Sequence, residues 1–216
     1  MRLFIALALL LALPAHATII TVDAGDYAPG TDVSHLLPGL TLTSFHQSSG
    51  NVPFSPTAQP VLIGELEGLP TFGGFHGDVR FAAGCYLNGF CSQPFSFLQL
   101  DFEFDTDYVR VTSVRQSVPA GLIAFDRAGN IVGVDFGVID DDPARFSNEI
   151  RLDGSRIARV WYGGSLNDGV MATRISYSVP EPSTLILLSG SLLLLLTCRR
   201  LDCRPAALAC VRRGPR

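Results

Sequence analysis

Lysine is absent from all 216 residues, and tryptophan occurs once. Between residues 18 and 178, nine arginines face fourteen aspartates and four glutamates, a balance of −9. That balance argues against a nucleic-acid partner, because a phosphate backbone is bound by surfaces of the opposite sign. Also missing are a G-x-S-x-G elbow, an H-E-x-x-H helix and a phosphate-cradling glycine loop. The commonest hydrolase, metalloprotease and nucleotide chemistries therefore have no foothold, and no cofactor is expected. His35, His46 and His76 stand in loop-like contexts. No internal repeat is present, and no amphipathic helical run separates the apolar segments after Phe97.

The two ends are specialised. Residues 1–17 read MRLFIALALLLALPAHA: one positive residue, an apolar run, then a small-residue site at Ala15 and Ala17. Those are the parts of a secretory signal peptide, with Thr18 as the first residue after cleavage. At the other end, SVPEPSTLILLSGSLLLLLTCRR runs from Ser178 to Arg200. Its apolar block, residues 185–196, covers about 18 Å as a helix, against a hydrocarbon core of about 30 Å. Residues 183–198 are expected to form a short transmembrane helix, followed by a basic cytoplasmic tail over 201–216. Arg2, Arg199 and Arg200 would stay on the cytoplasmic side, the last two stopping transfer, with the acidic domain outside. The precursor would then be anchored in a bacterial inner membrane. Cys85 and Cys91 fall in the exported part, where a disulfide between them can form and persist; Cys198, Cys203 and Cys210 fall on the reducing side and read as unpaired.

One domain of about 160 residues remains, 18–178, large enough to bury its own core. Residues 24–60 are rich in Pro, Gly, Ser and Thr and read as loops, between the short strands TIITV (18–22) and LTLTSF (40–45). From Phe97 the alternation sharpens. FLQLDFEF places Leu98, Leu100, Phe102 and Phe104 on a dry face, and Gln99, Asp101 and Glu103 on a wet one. YVRVTSV, GLIAFD, NIVGVDF, EIRLD, RIARVWY and MATRISYS follow, separated by Asp-, Asn- and Gly-rich turns. Short strands at this spacing predict an all-β fold, a single antiparallel β-sandwich.

Val179, Pro180, Glu181, Pro182 and Ser183, then an apolar stretch and Cys198-Arg199-Arg200, resemble the PEP-CTERM sorting signal. The resemblance covers residues 179–200 and implies recognition by an exosortase, a membrane processing enzyme. It further implies removal of the tail near Pro-Glu-Pro and delivery to the cell surface or extracellular matrix of an exopolysaccharide-making bacterium. The chain continues through 201–216, further than such tails usually run. GLIAFDRAGNIVG (121–133), GSRIARVWYGGSLNDGV (154–170) and RISYS are similar to the sandwich ectodomains of that family, which look like jelly-roll carbohydrate-binding modules.

Three groups of residues invite a site. Asp140, Asp141 and Asp142, with Asp135 nearby and Asn167 and Asp168 in another loop, are candidate calcium ligands or simply a solvated acidic loop; their spacing fits no EF-hand. Trp161, Tyr162 and Tyr177 could stack on sugar faces or fill the core. Tyr162 shares a face with Ala158 and Val160 and reads as core, while Trp161, expected on a face with Ile157 and Arg159, stays open. Asp101 and Glu103 need no chemistry to explain them. The reading is a non-catalytic, exported surface or matrix protein in contact with polysaccharide. The alternatives are a secreted glycoside hydrolase, whose carboxylates meet only in the fold, and a structural protein left membrane-anchored by an uncut tail. Intact-mass analysis of the mature protein is expected to give a chain that starts at Thr18 and carries nothing beyond Arg200; a species retaining residues 201–216 contradicts the processing.

Overall fold

The computed structural model describes residues 17–180, apart from 67, 78, 115–119, 137–144, 155 and 165–169. Fourteen strands, one α-helix and a single turn of 3-10 helix (Ala24–Asp26) are described. The chain begins with β1 (Thr18–Asp23), β2 (Leu40–Gln47), β3 (Val52–Pro53), β4 (Thr57–Gln59), β5 (Ile63–Leu66) and β6 (Leu69–His76). Helix α1 (Val79–Asn88) and β7 (Phe90–Cys91) follow, then β8 (Phe95–Thr106), β9 (Tyr108–Val114) and β10 (Gly121–Phe125). The last four are β11 (Ile131–Asp135), β12 (Arg145–Arg151), β13 (Ile157–Gly163) and β14 (Val170–Val179).

Two six-stranded antiparallel sheets face each other. The first runs β12-β9-β14-β6-β5, and β1 lies on the same flank of β14 as β6; the second runs β11-β10-β13-β8-β2-β4. Strand β14 is the hub of the first sheet. Its first half meets β6 at Val170↔His76 and Ala172↔Phe72, and its second half meets β1 from Asp23↔Arg174 to Thr18↔Val179. The two ends of the domain therefore leave from one corner. Just before that corner, Ser178 Oγ donates to Asp107 Oδ1 at 2.5 Å, and Thr106 Oγ1 donates to Ser178 O at 2.8 Å.

The main core lies between the sheets. Leu98, Leu100, Leu122 and Val160 from one sheet pack with Val109, Val111, Ile175 and Tyr177 from the other. Tyr177 donates its hydroxyl to Pro38 O at 2.8 Å, and burial pushes its pKa up to about 12. One side of the sandwich is closed by side chains joining its two edge strands. Asp135 on β11 accepts Glu149 N of β12 at 2.8 Å, and Asn148 Nδ2 reaches Ala120 O and Asp135 O at 3.2 and 3.3 Å. Asp135, grouped with an acidic loop by sequence, thus satisfies a backbone N–H that an edge strand leaves open.

A second apolar layer covers the outer face of the second sheet. Val79, Ala82, Ala83 and Cys85 of α1 sit against Phe95, Phe97, Ile123, Phe125 and Trp161. The spacing of those four small residues gives the helix one narrow buried stripe. The helix stops where Gly89, at φ +69°, takes the left-handed conformation that a side chain resists. Cys85 and Cys91 are joined by a disulfide, Cα–Cα 4.8 Å, and β7 pairs with β3 through Val52↔Cys91. The outer face of the second sheet is therefore not wet throughout. Gln99 is buried with Leu98 and Leu100, and all five residues of β10 are buried.

The fold class expected from the sequence needs correcting. It is an all-β, two-sheet domain with one short helix laid on it. The transmembrane helix and membrane-anchored precursor have no counterpart among the described residues, where no helix is long and apolar enough to cross a membrane. Helix α1, with ten residues, reaches about 15 Å against the roughly 30 Å required. Residues 183–198 themselves, with Arg199 and Arg200, lie outside the described residues.

His76, placed in a loop by the sequence, closes β6 and is fully buried. Its Nε2 lies 3.3 Å from Phe72 O, while Nδ1 has no hydrogen-bond partner. Burial pushes its pKa down to about 4. Above pH 6.5 the ring is neutral in both folded and unfolded chains, so stability there does not depend on it. Between pH 6.5 and 4 only the unfolded chain takes up the proton, and stability falls by about 1.4 kcal/mol per unit, on the order of 3 kcal/mol in all. Urea titrations from pH 8 to 4 are expected to show a shallower acid loss in His76→Gln than in the wild type; parallel curves contradict the assignment.

Candidate functional site

The second sheet carries a polar ladder on its outer face, and an open groove lies at the ladder's end. Registration of β13 on β8 sets Trp161 opposite Gln99 and Arg159 opposite Asp101. Trp161 Nε1–H donates to Gln99 Oε1 at 2.7 Å. Gln99 Nε2–H donates in turn to Asp101 Oδ2. Arg159 Nε–H then meets Asp101 Oδ1 at 2.7 Å. The ladder starts under α1 at a buried indole and ends at a half-exposed ion pair.

The register then slips. Ile157 pairs with Thr106 although Arg159 pairs with Asp101, so residues 102–105 of β8 bulge opposite Ala158. A bulge re-aims the side chains beside it. Here it opens a groove of about 370 Å³ lined by Tyr86, Asp101, Asp126, Arg127, Gly129 and Arg159 among others. Tyr86 stands at the rim, 36% exposed, its ring edge-on to Trp161 at 5.3 Å and to Phe125 at 5.9 Å. A Cβ on Gly129 would lie 2.8 Å from the Tyr86 hydroxyl, and Gly129 sits at φ +85°. A tight β10–β11 turn with glycine at that position is what lets the tyrosine sit there.

The charges of the groove are held by partners. Arg127 Nε meets Asp105 at 2.7 Å and its Nη2 donates to Glu103 O at 3.1 Å, which ties the β10–β11 turn to the bulge. Asp126 accepts Ala128 N at 2.9 Å, Asn130 N at 2.8 Å and Asn130 Nδ2 at 2.9 Å. Those bonds, the Asn130 side chain first, hold its carboxyl below the usual range. General-acid catalysis on a glycoside needs a carboxyl held protonated by a raised pKa. Asp126 is pushed the other way, and Asp101 is engaged by Arg159 and Gln99. The groove offers donors, acceptors and the ring edge of Tyr86, with the buried Phe102 also in its lining, which suits reversible binding of a polyhydroxy compound.

The structure distributes the sequence candidates unevenly. Trp161 is 2% exposed, so it is no sugar platform. It also lies on the opposite face from Ile157, because the slip between Ile157 and Arg159 breaks the alternation that had put them together. Tyr162 and Tyr177 are buried in the main core, Tyr162 as its face implied. Asp101 lines the groove and Glu103 is exposed. Asp140, Asp141, Asp142, Asn167 and Asp168 lie outside the described residues, and no metal-holding group of three His, Cys, Asp or Glu occurs among those described. Val179 is the last residue of β14, Pro180 follows it exposed, and Thr18 opens β1. Ala17 is exposed; Ala15, Glu181, Pro182 and Ser183 are not described. Tyr86 escaped the sequence reading because α1 did. The spacing of Val79, Ala82, Ala83 and Cys85 was the available signal.

A second groove, about 580 Å³, lies between the other two sheet edges beside Ser44, His46, Gln59, Leu62, Glu65 and Gly74. It is larger, but its lining contains no Phe, Tyr or Trp.

No protein-family model matches this chain, and no curated protein does either. Among solved structures it is similar to a mutant of a family 29 carbohydrate-binding module. The identity is 9%, with 76% of this chain and 92% of that chain covered and a TM-score of 0.39. A superposition that loose fixes neither the strand arrangement nor a ligand.

Replacing Trp161 by Phe keeps a ring under α1 but leaves Gln99 Oε1 buried without its donor. The expected cost is about 1–3 kcal/mol in urea unfolding, larger than a surface change produces. A cost below about 0.5 kcal/mol contradicts the ladder as drawn.

Proposed function

We propose that this chain is an exported, non-catalytic surface or matrix protein whose sandwich binds polysaccharide in the groove beside Tyr86. The observation that carries the reading is the ladder from Trp161 through Gln99 and Asp101 to Arg159, ending beside an exposed aromatic ring. Sugars present hydroxyls that both donate and accept, and C–H faces that pack on rings. A fixed arginine–aspartate pair answers the first property and Tyr86 the second. Tyrosine supplies such contact at low entropic cost, having two side-chain torsions. Because the ladder's inner members are buried, its outer members are already oriented, and pre-organisation lowers the cost of binding.

The same proposal includes sorting by an exosortase through Val179, Pro180, Glu181, Pro182 and Ser183. Three features support it: the tripartite sequence pattern, the disulfide expected of an exported domain, and the end of β14 at Val179. Pro-Glu-Pro starts where sheet pairing stops, and proline keeps the residue before it extended, the backbone form that processing enzymes grip.

Co-sedimentation of the purified protein with insoluble polysaccharides tests the groove. Binding is expected for the wild type, and Tyr86→Ala and Arg159→Ala should each weaken it about tenfold or more, the equivalent of one lost charge-assisted bond, with melting temperatures near wild type for Arg159→Ala. Undiminished binding by both variants removes the groove from the reading. Release of sugar from the pellets contradicts a non-catalytic role.

A further inference from the structure

We infer that the groove takes an uncharged glycan chain and rejects polyuronates and other polyanions; this rests on the groove being a glycan site at all. The inference comes from how its two cations are held. Arg159 is paired with Asp101 and Arg127 with Asp105, both at 2.7 Å. Asp126 adds a third carboxylate at the rim, its oxygens turned to its own turn. Around the groove three carboxylates therefore outnumber two guanidiniums. A carboxylate on a ligand would have to compete with Asp101 or Asp105 for its arginine while lying beside a like charge, and a carboxylate approaching a like charge is disfavoured.

A hydroxyl meets no such conflict. Each guanidinium has five N–H donors in a planar fork, and the ion pairs engage Nε of Arg159 and Nε of Arg127. A sugar oxygen can accept from a terminal nitrogen without breaking the pair, and the same hydroxyl can donate to the neighbouring carboxylate. The wider chain pushes the same way. The span 18–178 has no lysine and a balance of −9, so long-range attraction of a polyanion is absent. Binding of a neutral chain through paired groups is also insensitive to salt, because no counterion is released, unlike binding by free cations.

Native electrophoresis in gels containing soluble polysaccharide separates the possibilities. The wild-type protein, run in gels with dextran, a mixed-linkage β-glucan or galactomannan, is expected to be retarded by at least one of the three. The retardation should change less than twofold between 50 and 500 mM NaCl and should disappear in Arg159→Ala. No retardation is expected in polygalacturonate. Retardation in polygalacturonate alone, lost at 500 mM NaCl, overturns the inference; if Arg159→Ala abolishes that retardation too, the groove remains a glycan site of the wrong class. No retardation in any gel overturns the inference together with the glycan reading. Retardation in a neutral gel that Arg159→Ala leaves intact overturns the groove as its location.

Discussion

The outer face of the second sheet has to be covered, and most of the architecture follows from that. Phe95, Phe97, Ile123, Phe125 and Trp161 form an aromatic and aliphatic surface that water cannot solvate well. Helix α1 covers it with a stripe of small side chains, so helix and sheet approach closely and the rings interlock. Phe97 and Trp161 centroids are 4.4 Å apart, and those of Phe125 and Trp161 are 4.7 Å apart. A ten-residue helix is marginal alone, and here the disulfide at its last turn holds it in place. In the chain-entropy account, closing so short a loop contributes about 2 kcal/mol. The buried indole then needs an acceptor, Gln99 supplies it, and the remaining hydrogen-bonding capacity of Gln99 fixes Asp101. The rim of the groove is thus set by the demands of the layer beneath it.

Strand identities in the second half of the chain were readable because one face of each strand is dry. YVRVTSV is β9 to the residue, and GLIAFD, NIVGVDF and MATRISYS lie within a residue of β10, β11 and β14. The residues from Val52 to Cys91 were not readable. Short strands such as Thr57–Gln59, exposed along their length, carry no hydrophobic period. Helix α1 hides its buried stripe in alanine and cysteine, which mark no face strongly. Burial on both faces was also invisible in FLQL: Gln99 looked wet because glutamine usually is, and it is buried because Trp161 holds it. The break in alternation at Ala158 depends on a three-residue excess in the partner strand, which no local pattern in RIARVWY records.

The candidate site was legible only in part. Asp101 and Arg159 were visible as alternating strand residues, yet nothing local said that they would pair across strands. The three aromatics that invited a sugar platform are all buried, and the exposed ring at the groove, Tyr86, lay in the unread helix. Asp135 likewise changed meaning, from a member of an acidic loop to a clasp between the edges of two sheets. The Val-Pro-Glu-Pro segment is described only as far as Pro180. Sheet pairing ends at Thr18↔Val179, beside the hydrogen bonds that Ser178 donates to Asp107 and accepts from Thr106. Val179 and the exposed Pro180 therefore stand at a well-anchored strand end.

One tryptophan in the whole chain makes the most direct test simple. The Trp161 indole N–H gives a single, unambiguous resonance in a 15N correlation spectrum, and it is hydrogen-bonded to the ladder that ends at Arg159. Titration with a neutral oligosaccharide from whichever polysaccharide binds is predicted to shift that resonance together with the Gln99 side-chain amide, in a saturable way. Saturable shifts at backbone amides near His46, Gln59 and Gly74, with the indole unmoved, would place the ligand in the other groove and contradict the account.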